Sequence, residues 1–266
     1  MNIRNHMEWT MRKGLFFAAA LAACLMLAGA ALAADASLDK VKARGELVIG
    51  FAAHYPPFES KNEKTGEYEG FDVDMARALA GELGVAPKFV DTDWQALLGG
   101  LGKGDFDVLV TCMSKSETRG QNVNFTDVYY KLADVVVVRK DETAITGADG
   151  LKGKVVGAQL GSSADDIMNK MQGLKDAKHY NYNPEAFLDL KAGRLDALIV
   201  GYAYAVNQIK EDPSYKIVGA PLEEAEIVMV LPQGADALTG KLNEALAAIR
   251  KNGKYQAAFD KWLKID

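Results

Sequence analysis

The stretch from Asp105 to Arg119 carries the residue types best suited to grip a small anion. Val108-Leu109-Val110 predicts a short buried strand that gives way at once to Thr111, Cys112, Met113 and Ser114, with an arginine following at Arg119. A guanidinium holds a carboxylate through two parallel charge-assisted hydrogen bonds. Hydroxyls and amides past a strand end add donors beside it. The pattern predicts a seat for a small anionic or zwitterionic molecule. Taken alone, Arg119 could pair at the surface with Glu117 or Asp127, and Ser114 could be an ordinary loop residue.

A second stretch has the same character. Gly161-Ser162-Ser163 follows a predicted strand and precedes a predicted helix, where unpaired amides and the helix dipole favour an anion. Tyr55 and Trp94 follow strands and are candidates to flank a ligand with their rings; the bland alternative for both is packing. Phe58 is expected in the core, and Cys112 is expected to be buried and inert, contributing backbone rather than sulfur. His6, His54 and His179 show no metal-ligand spacing, and Gly99-Gly100-Leu101-Gly102 lacks a phosphate-loop pattern. No cofactor or metal is expected.

These residues need a scaffold, and hydrophobic periodicity supplies one. Strands are predicted at Glu46–Phe51, Lys88–Val90 and Val108–Val110, with a helix opened by Gly70-Phe71-Asp72, Asp72 as its cap, and ended by Gly84. A valine-rich run follows from Asp134 to Val138. The pattern restarts with strands at Val155–Ala158, His179–Tyr182 and Ala197–Val200, interleaved with helices at Ala164–Met171, Pro184–Ala192 and Tyr202–Lys210. Amphipathic helices close the chain, one striped by Leu242, Ala245, Leu246 and Ile249. Alternation of strand and helix predicts an α/β architecture of parallel-rich sheets flanked by helices, in two lobes. The expected division is 34–138 plus 229–266 for the first lobe and 139–228 for the second, joined by hinge strands near Val138 and Val228. Ligands of such sheets sit past the carboxyl ends of the strands, and clamshell closure suits two lobes.

The N-terminus sets the expected compartment. Met11-Arg12-Lys13, the apolar run to Leu27 and Ala31-Leu32-Ala33 read as a secretory signal peptide, residues 1–33, cleaved after Ala33. Leu21-Ala22-Ala23-Cys24 competes as a lipoprotein box. The residues after Cys24 stay apolar, so soluble export to the periplasm is favoured over lipidation. Beyond the leader one cysteine remains, Cys112, which excludes an internal disulfide. The formal charge is −5, and the leader itself is basic, so the exported part is more acidic still. That disfavours nucleic acid and anionic lipid as partners. The chain is expected to act as a monomer.

Four motifs in register resemble the polar amino-acid-binding proteins of bacterial ABC importers, the type II periplasmic solute-binding proteins of family 3. They are Tyr55-Pro56-Pro57-Phe58 with Gly70-Phe71-Asp72-Val73-Asp74; Gly104-Asp105-Phe106-Asp107-Val108 leading to Ser114 and Arg119; Lys154-Val155-Val156-Gly157 with Gly161-Ser162-Ser163; and Ala192-Gly193-Arg194-Leu195-Asp196-Ala197. The resemblance implies a two-lobed periplasmic-binding-protein fold with the ligand in the interlobe cleft, an amino acid or small carboxylate as ligand, and ABC permease membrane subunits as partners. It implies that Arg119, Ser114 with Met113 beside it, and Ser163 with Gly161 and Ser162 hold the ligand carboxylate. The Cys112 carbonyl would receive the ammonium, and Gly201 and Tyr202 would lie near it.

Two departures matter. Family members place acids at the positions held here by Ala52 and Gly201, the second being the usual ammonium anchor. An unpaired ammonium in a closed site costs several kcal/mol. Either the cation is held otherwise, by the rings of Tyr55, Trp94 or Tyr202 or by Glu59 or Asp93, or the ligand lacks an α-amine. His54 and Lys115 could instead welcome a second carboxylate. The competing functions are a dehydratase on the same fold, which would use a carboxylate at the place of Gly201, and a sensor presenting its ligand to a receptor kinase. The reading favoured is a non-catalytic receptor.

Overall fold

The computed structural model describes residues 35–264. The expected leader, with Cys24, lies outside them. In chain order the elements are α1 (Ser37–Arg44), β1 (Glu46–Phe51), β2 (His54–Tyr55), β3 (Glu59–Lys61), β4 (Tyr68–Glu69), α2 (Phe71–Leu83) and β5 (Ala86–Asp91). A 3-10 turn at Trp94–Ala96 leads into α3 (Leu97–Lys103), β6 (Val108–Leu109), α4 (Glu117–Gly120), β7 (Val123–Phe125) and the long β8 (Tyr130–Arg139). Then come β9 (Val155–Gln159), α5 (Ser163–Lys170), β10 (Asp176–Tyr180), α6 (Asn183–Lys191), β11 (Ala197–Gly201) and α7 (Tyr202–Glu211). The chain ends with β12 (Tyr215–Val218), β13 (Glu224–Ile227), β14 (Val230–Pro232), α8 (Asp236–Lys251) and α9 (Lys254–Trp262).

Two mixed sheets form the frame. The first runs β5-β1-β6-β14-β7, parallel from β5 through β6, with β14 antiparallel to its neighbours. The second runs β10-β9-β11-β8-β12, parallel from β10 through β11 and antiparallel at β8 and β12. β1 is buried along nearly its whole length because both of its faces are covered. One face of the first sheet packs Ile49, Val108 and Val110 with Leu79 of α2 and Leu242 and Ile249 of α8. The other packs Leu109 and Val230 with Leu97 and Leu101 of α3. In the second sheet the alternation along β8 sends Val135 and Val137 toward Phe187 and Tyr204, and Val136 and Val138 toward Ile167 and Met168.

Register moves the first join between the sheets. Val135 to Val138 pair within the second sheet, against β11 and β12. The segment Tyr130–Ala133 instead pairs antiparallel with β13, from Tyr130 opposite Ile227 to Ala133 opposite Glu224. The crossing therefore falls several residues before Val138, and the returning strand Glu224–Ile227 lies beside it just ahead of Val228. The valine run was the visible signal, but it marks burial in a sheet rather than the place where the chain crosses.

One local expectation is also corrected. Asp72 does not cap α2; Gly70 does, with φ 130°, and a Cβ there would lie 2.2 Å from the Phe58 carbonyl oxygen. Asp72 points inward and is 1 % exposed.

Candidate functional site

The chemistry-bearing residues converge past the carboxyl ends of the parallel strands. Ala52, His54 and Tyr55 follow β1; Thr111, Cys112 and Ser114 follow β6; Ser162 and Ser163 follow β9; Gly201 ends β11. All of these line one enclosed cavity, together with Trp94 and Asp134. About 40 Å³ of it is free space, against about 670 Å³ in an outer, more open cleft that shares Ser114, Asp134 and Ser163 with it. The two sheets are latched over the inner cavity. Trp94 Nε1 and Gln95 Nε2 both donate to the Leu160 carbonyl, at 3.1 and 2.8 Å, and the Tyr182 hydroxyl donates to Asp93. Tyr55 stacks on Tyr204 of α7, with ring centroids 4.5 Å apart and planes 3° from parallel.

At one end stands Arg119. Nη1 donates to the Ser114 carbonyl at 2.6 Å and to its hydroxyl at 2.9 Å, while Nη2 donates to the Gly161 carbonyl across the cleft. Burial pushes the guanidinium pKa down, with Asp166 opposing that shift. Facing it, Ser162 caps the helix that follows β9. The Ser162 hydroxyl accepts from the Asp165 amide at 3.2 Å, and Asp165 accepts from the Gly161 amide at 2.9 Å. Ser163 and Ala164 are the first residues inside α5, where amides have no intrahelical partner, and both line the cavity. The guanidinium and the first amides of α5 are chemically suited to a carboxylate.

Cys112 sits at φ 45°, the one non-glycine residue with positive φ among the described residues. Its amide donates to Asp72, as does the Tyr129 hydroxyl at 2.9 Å. That buried acid thus fixes the turn by which the chain leaves β6, at a conformational cost on the order of 1 kcal/mol. Burial pushes the Asp72 pKa up to about 7. Beside it Glu59, also lining the cavity, accepts from the Thr111 hydroxyl at 2.9 Å; burial first, and the neighbouring Asp72 second, raise its pKa. Asp72 Oδ1 and Glu59 Oε2 have no donor from other groups. A proton held between the two neighbouring carboxyls would satisfy both.

A third acid is held differently. Asp134 lies on β8 directly opposite Gly201, is 1 % exposed, and lines both the cavity and the outer cleft. Its Oδ2 has no hydrogen-bond partner. Burial pushes its pKa up to about 6, and a hydrogen bond with Ser163 restrains the rise. Sequence reasoning passed over this residue as the start of a valine strand. The available signal was a lone acid inside an otherwise apolar run, Leu132 to Val138, since charged groups are rarely buried without a partner.

Gly201 itself has no room for a side chain. A Cβ there would stand 2.4 Å from the Tyr55 hydroxyl and 2.9 Å from Leu132 Cδ1. Ala52 is buried, and its amide donates to Thr111 Oγ1 at 3.1 Å.

Of the residues expected at the site, Tyr55, Trp94, Cys112, Ser114, Ser162, Ser163 and Gly201 line the cavity. Arg119 and Gly161 meet at its edge through their own hydrogen bond. Met113 and Tyr202 fall elsewhere. The Met113 side chain packs into the core with Leu97 and Val228, because the chain turns at Cys112. Tyr202 begins α7 on its solvent side, 38 % exposed, while Tyr204 takes the inward place. Among the named alternatives for the cation, Glu59 reaches the cavity, and Asp93 is engaged by Tyr182. His54 lines the cavity, whereas Lys115 lines the outer cleft.

The sequence pattern of the bacterial extracellular solute-binding proteins, family 3, matches residues 47–265. The chain belongs to that family. It is 31 % identical over 258 residues to the L-cystine-binding protein TcyJ of Escherichia coli (strain K12), covering 96 % of each chain. Among solved structures it resembles an ancestral arginine-binding protein bound to arginine, with TM-score 0.79, 35 % identity, and 83 % and 99 % of the two chains covered. It also resembles an ancestral amino acid-binding protein described as a precursor of cyclohexadienyl dehydratase, with TM-score 0.79, 31 % identity, and 86 % and 100 % covered. The chain is thus a solute-binding protein of this two-lobed α/β fold. Among the described residues no helix is long and apolar enough to cross a membrane.

Proposed function

We propose that this chain captures an amino acid, or a closely related small carboxylate, by closure of its two lobes, and delivers it to the membrane subunits of an ABC importer. The observation that carries the reading is the convergence of Arg119, Ser114 and the first turn of α5 on one end of a cavity between two sheets. Relatives that bind L-cystine and arginine support an amino acid as the cargo. The paired segments Tyr130–Ala133 and Glu224–Ile227 serve as the hinge, because they lie side by side as extended chain where the chain passes between the sheets. Export to the periplasm follows from the leader at 1–33, and mass spectrometry of the mature N-terminus tests cleavage after Ala33 against lipidation at Cys24.

Calorimetry of the mature protein against the L-amino acids, L-cystine and simple organic acids tests the reading. Saturable binding of one class is expected, with a compaction in small-angle scattering on addition of that ligand. No binding across the whole panel would contradict it.

The likeness to the precursor of a dehydratase raises an enzymatic alternative. Gly201, crowded by Tyr55, leaves no carboxylate where that chemistry was expected to place its acid. The reading is therefore of a binder without turnover. Formation of an aromatic product from arogenate or prephenate would reverse it.

A further inference from the structure

A buried carboxylate with an unpaired oxygen is costly unless a cation or a proton meets it. Among the acids lining the inner cavity, Glu59 accepts from the Thr111 hydroxyl and has the Asp72 carboxyl beside it as a partner for a proton. Asp134 has only Ser163, and its Oδ2 is left without a partner. It lies in the wall of a cavity that also offers Ser114, to which Arg119 donates, and the first residues of α5, of which Ser163 bonds Asp134 itself. Cationic and amide donors with a lone buried acid beside them are complementary to the carboxylate and ammonium that an α-amino acid carries on one carbon.

We infer that Asp134 holds the ammonium of the ligand, and that the acid has shifted one strand across the sheet, from position 201 on β11 to its register partner on β8. Two observations explain the shift. Gly201 pairs with Asp134 across the antiparallel ladder, so side chains at the two positions lie on one face and neighbour each other. The space beside Gly201 is filled by the Tyr55 hydroxyl and Leu132, which would have to move for an acid to stand there. The inference rests on the amino-acid reading above and sharpens it. A ligand without an amine leaves the Asp134 charge buried and uncompensated, so the site selects for α-amino acids rather than the matching organic acids.

The test pairs amino acids with analogues lacking only the amine: L-arginine with 5-guanidinopentanoate, and L-glutamine with glutaramate, alongside any amino acid found to bind in the wider panel and its own deaminated analogue. Calorimetry on the wild type is expected to show at least about 100-fold preference for the amine-bearing member, the loss usual when one side of a buried hydrogen-bonded charge pair is removed. Asp134→Asn, nearly isosteric, is expected to lose about 100-fold for the amino acid and to bind the deaminated analogue as well as or better than the wild type does. The wild-type comparison needs no variant to fold, and thermal melting checks the variant. Equal wild-type affinity for both members of a pair, or undiminished amino-acid binding by Asp134→Asn, would overturn the ammonium anchor while leaving a carboxylate binder intact. Tighter amino-acid binding by Asp134→Asn would show that the acid repels the ligand carboxylate. Absence of any amino-acid binding by the wild type would overturn the functional reading and the anchor with it.

Discussion

The carboxylate end and the acid end of the site, which meet where Ser163 bonds Asp134, are built on opposite plans. The carboxylate end uses a long side chain and loop amides at the tips of β6 and β9, where Arg119, Ser114 and Ser163 stand just past the strands. The acid end uses a short side chain in the middle of a long strand, with Asp134 held on β8 between the segment that pairs with β13 and the segment that pairs with β11. The first end can adapt, because a guanidinium on a flexible stem exchanges protein carbonyls for a ligand. The second cannot, because its position is set by sheet register. Affinity for a carboxylate and discrimination by amine are thus carried by parts of different stiffness.

The largest effect expected from this contrast is at the adaptable end. Arg119→Ala should lower affinity for any carboxylate ligand by about 1000-fold or more, since it removes a partly buried charge partner. Calorimetry checks it, and retained affinity would mean that the ligand seat is not at this end. A smaller effect is expected at the rigid end. Gly201→Ala should cost about 1–3 kcal/mol through overpacking against the Tyr55 hydroxyl, and Tyr55→Phe in the same chain should recover part of it. Denaturant titration of the four forms of that cycle measures the coupling, and additive costs would show that Tyr55 is not the obstacle.

The pH response should also set the ends apart. Burial raises the Asp72 pKa to about 7 and the Asp134 pKa to about 6 in the ligand-free protein. The folded state therefore keeps protons that the unfolded chain releases near pH 4. Their contribution is fully present below about pH 4 and is lost as the pH rises through about 6 and then 7. The melting temperature of the free protein should fall from pH 5 to pH 8. Asp72→Asn, which still accepts from the Cys112 amide and the Tyr129 hydroxyl, should flatten the upper part of that fall. An unchanged slope in the variant would remove the buried acid pair from the account. The smallest effect belongs to the latch. Trp94→Phe leaves Gln95 still donating to Leu160, so affinity should weaken by about three-fold, in the dissociation rate.

Legibility in the sequence followed the same division. Arg119, Ser114 and Ser163 announce themselves because local motifs produce strand ends and helix starts, and those are short-range events in the chain. The α/β order and most elements follow likewise from periodicity. Asp134 was hidden because its meaning lies in a partner, Gly201, that only the β8–β11 register brings to it. The crossing point was misplaced for a related reason: valines report burial, not which sheet does the burying. Asp72 looked like a cap because it stands at a helix start, but the turn at Cys112 draws it inward. Met113 and Tyr202 were carried into the site by adjacency, and a turn and a helix face carry them out.

The central claim is that one small zwitterion engages both adjoining ends of the site. A crystal structure of the protein with the amino acid it binds tests this most directly. The account predicts the ligand carboxylate on the Arg119 fork and the amides of α5, and its ammonium about 3 Å from the Asp134 carboxylate. An ammonium bound away from Asp134, with that acid still unpaired, would contradict it.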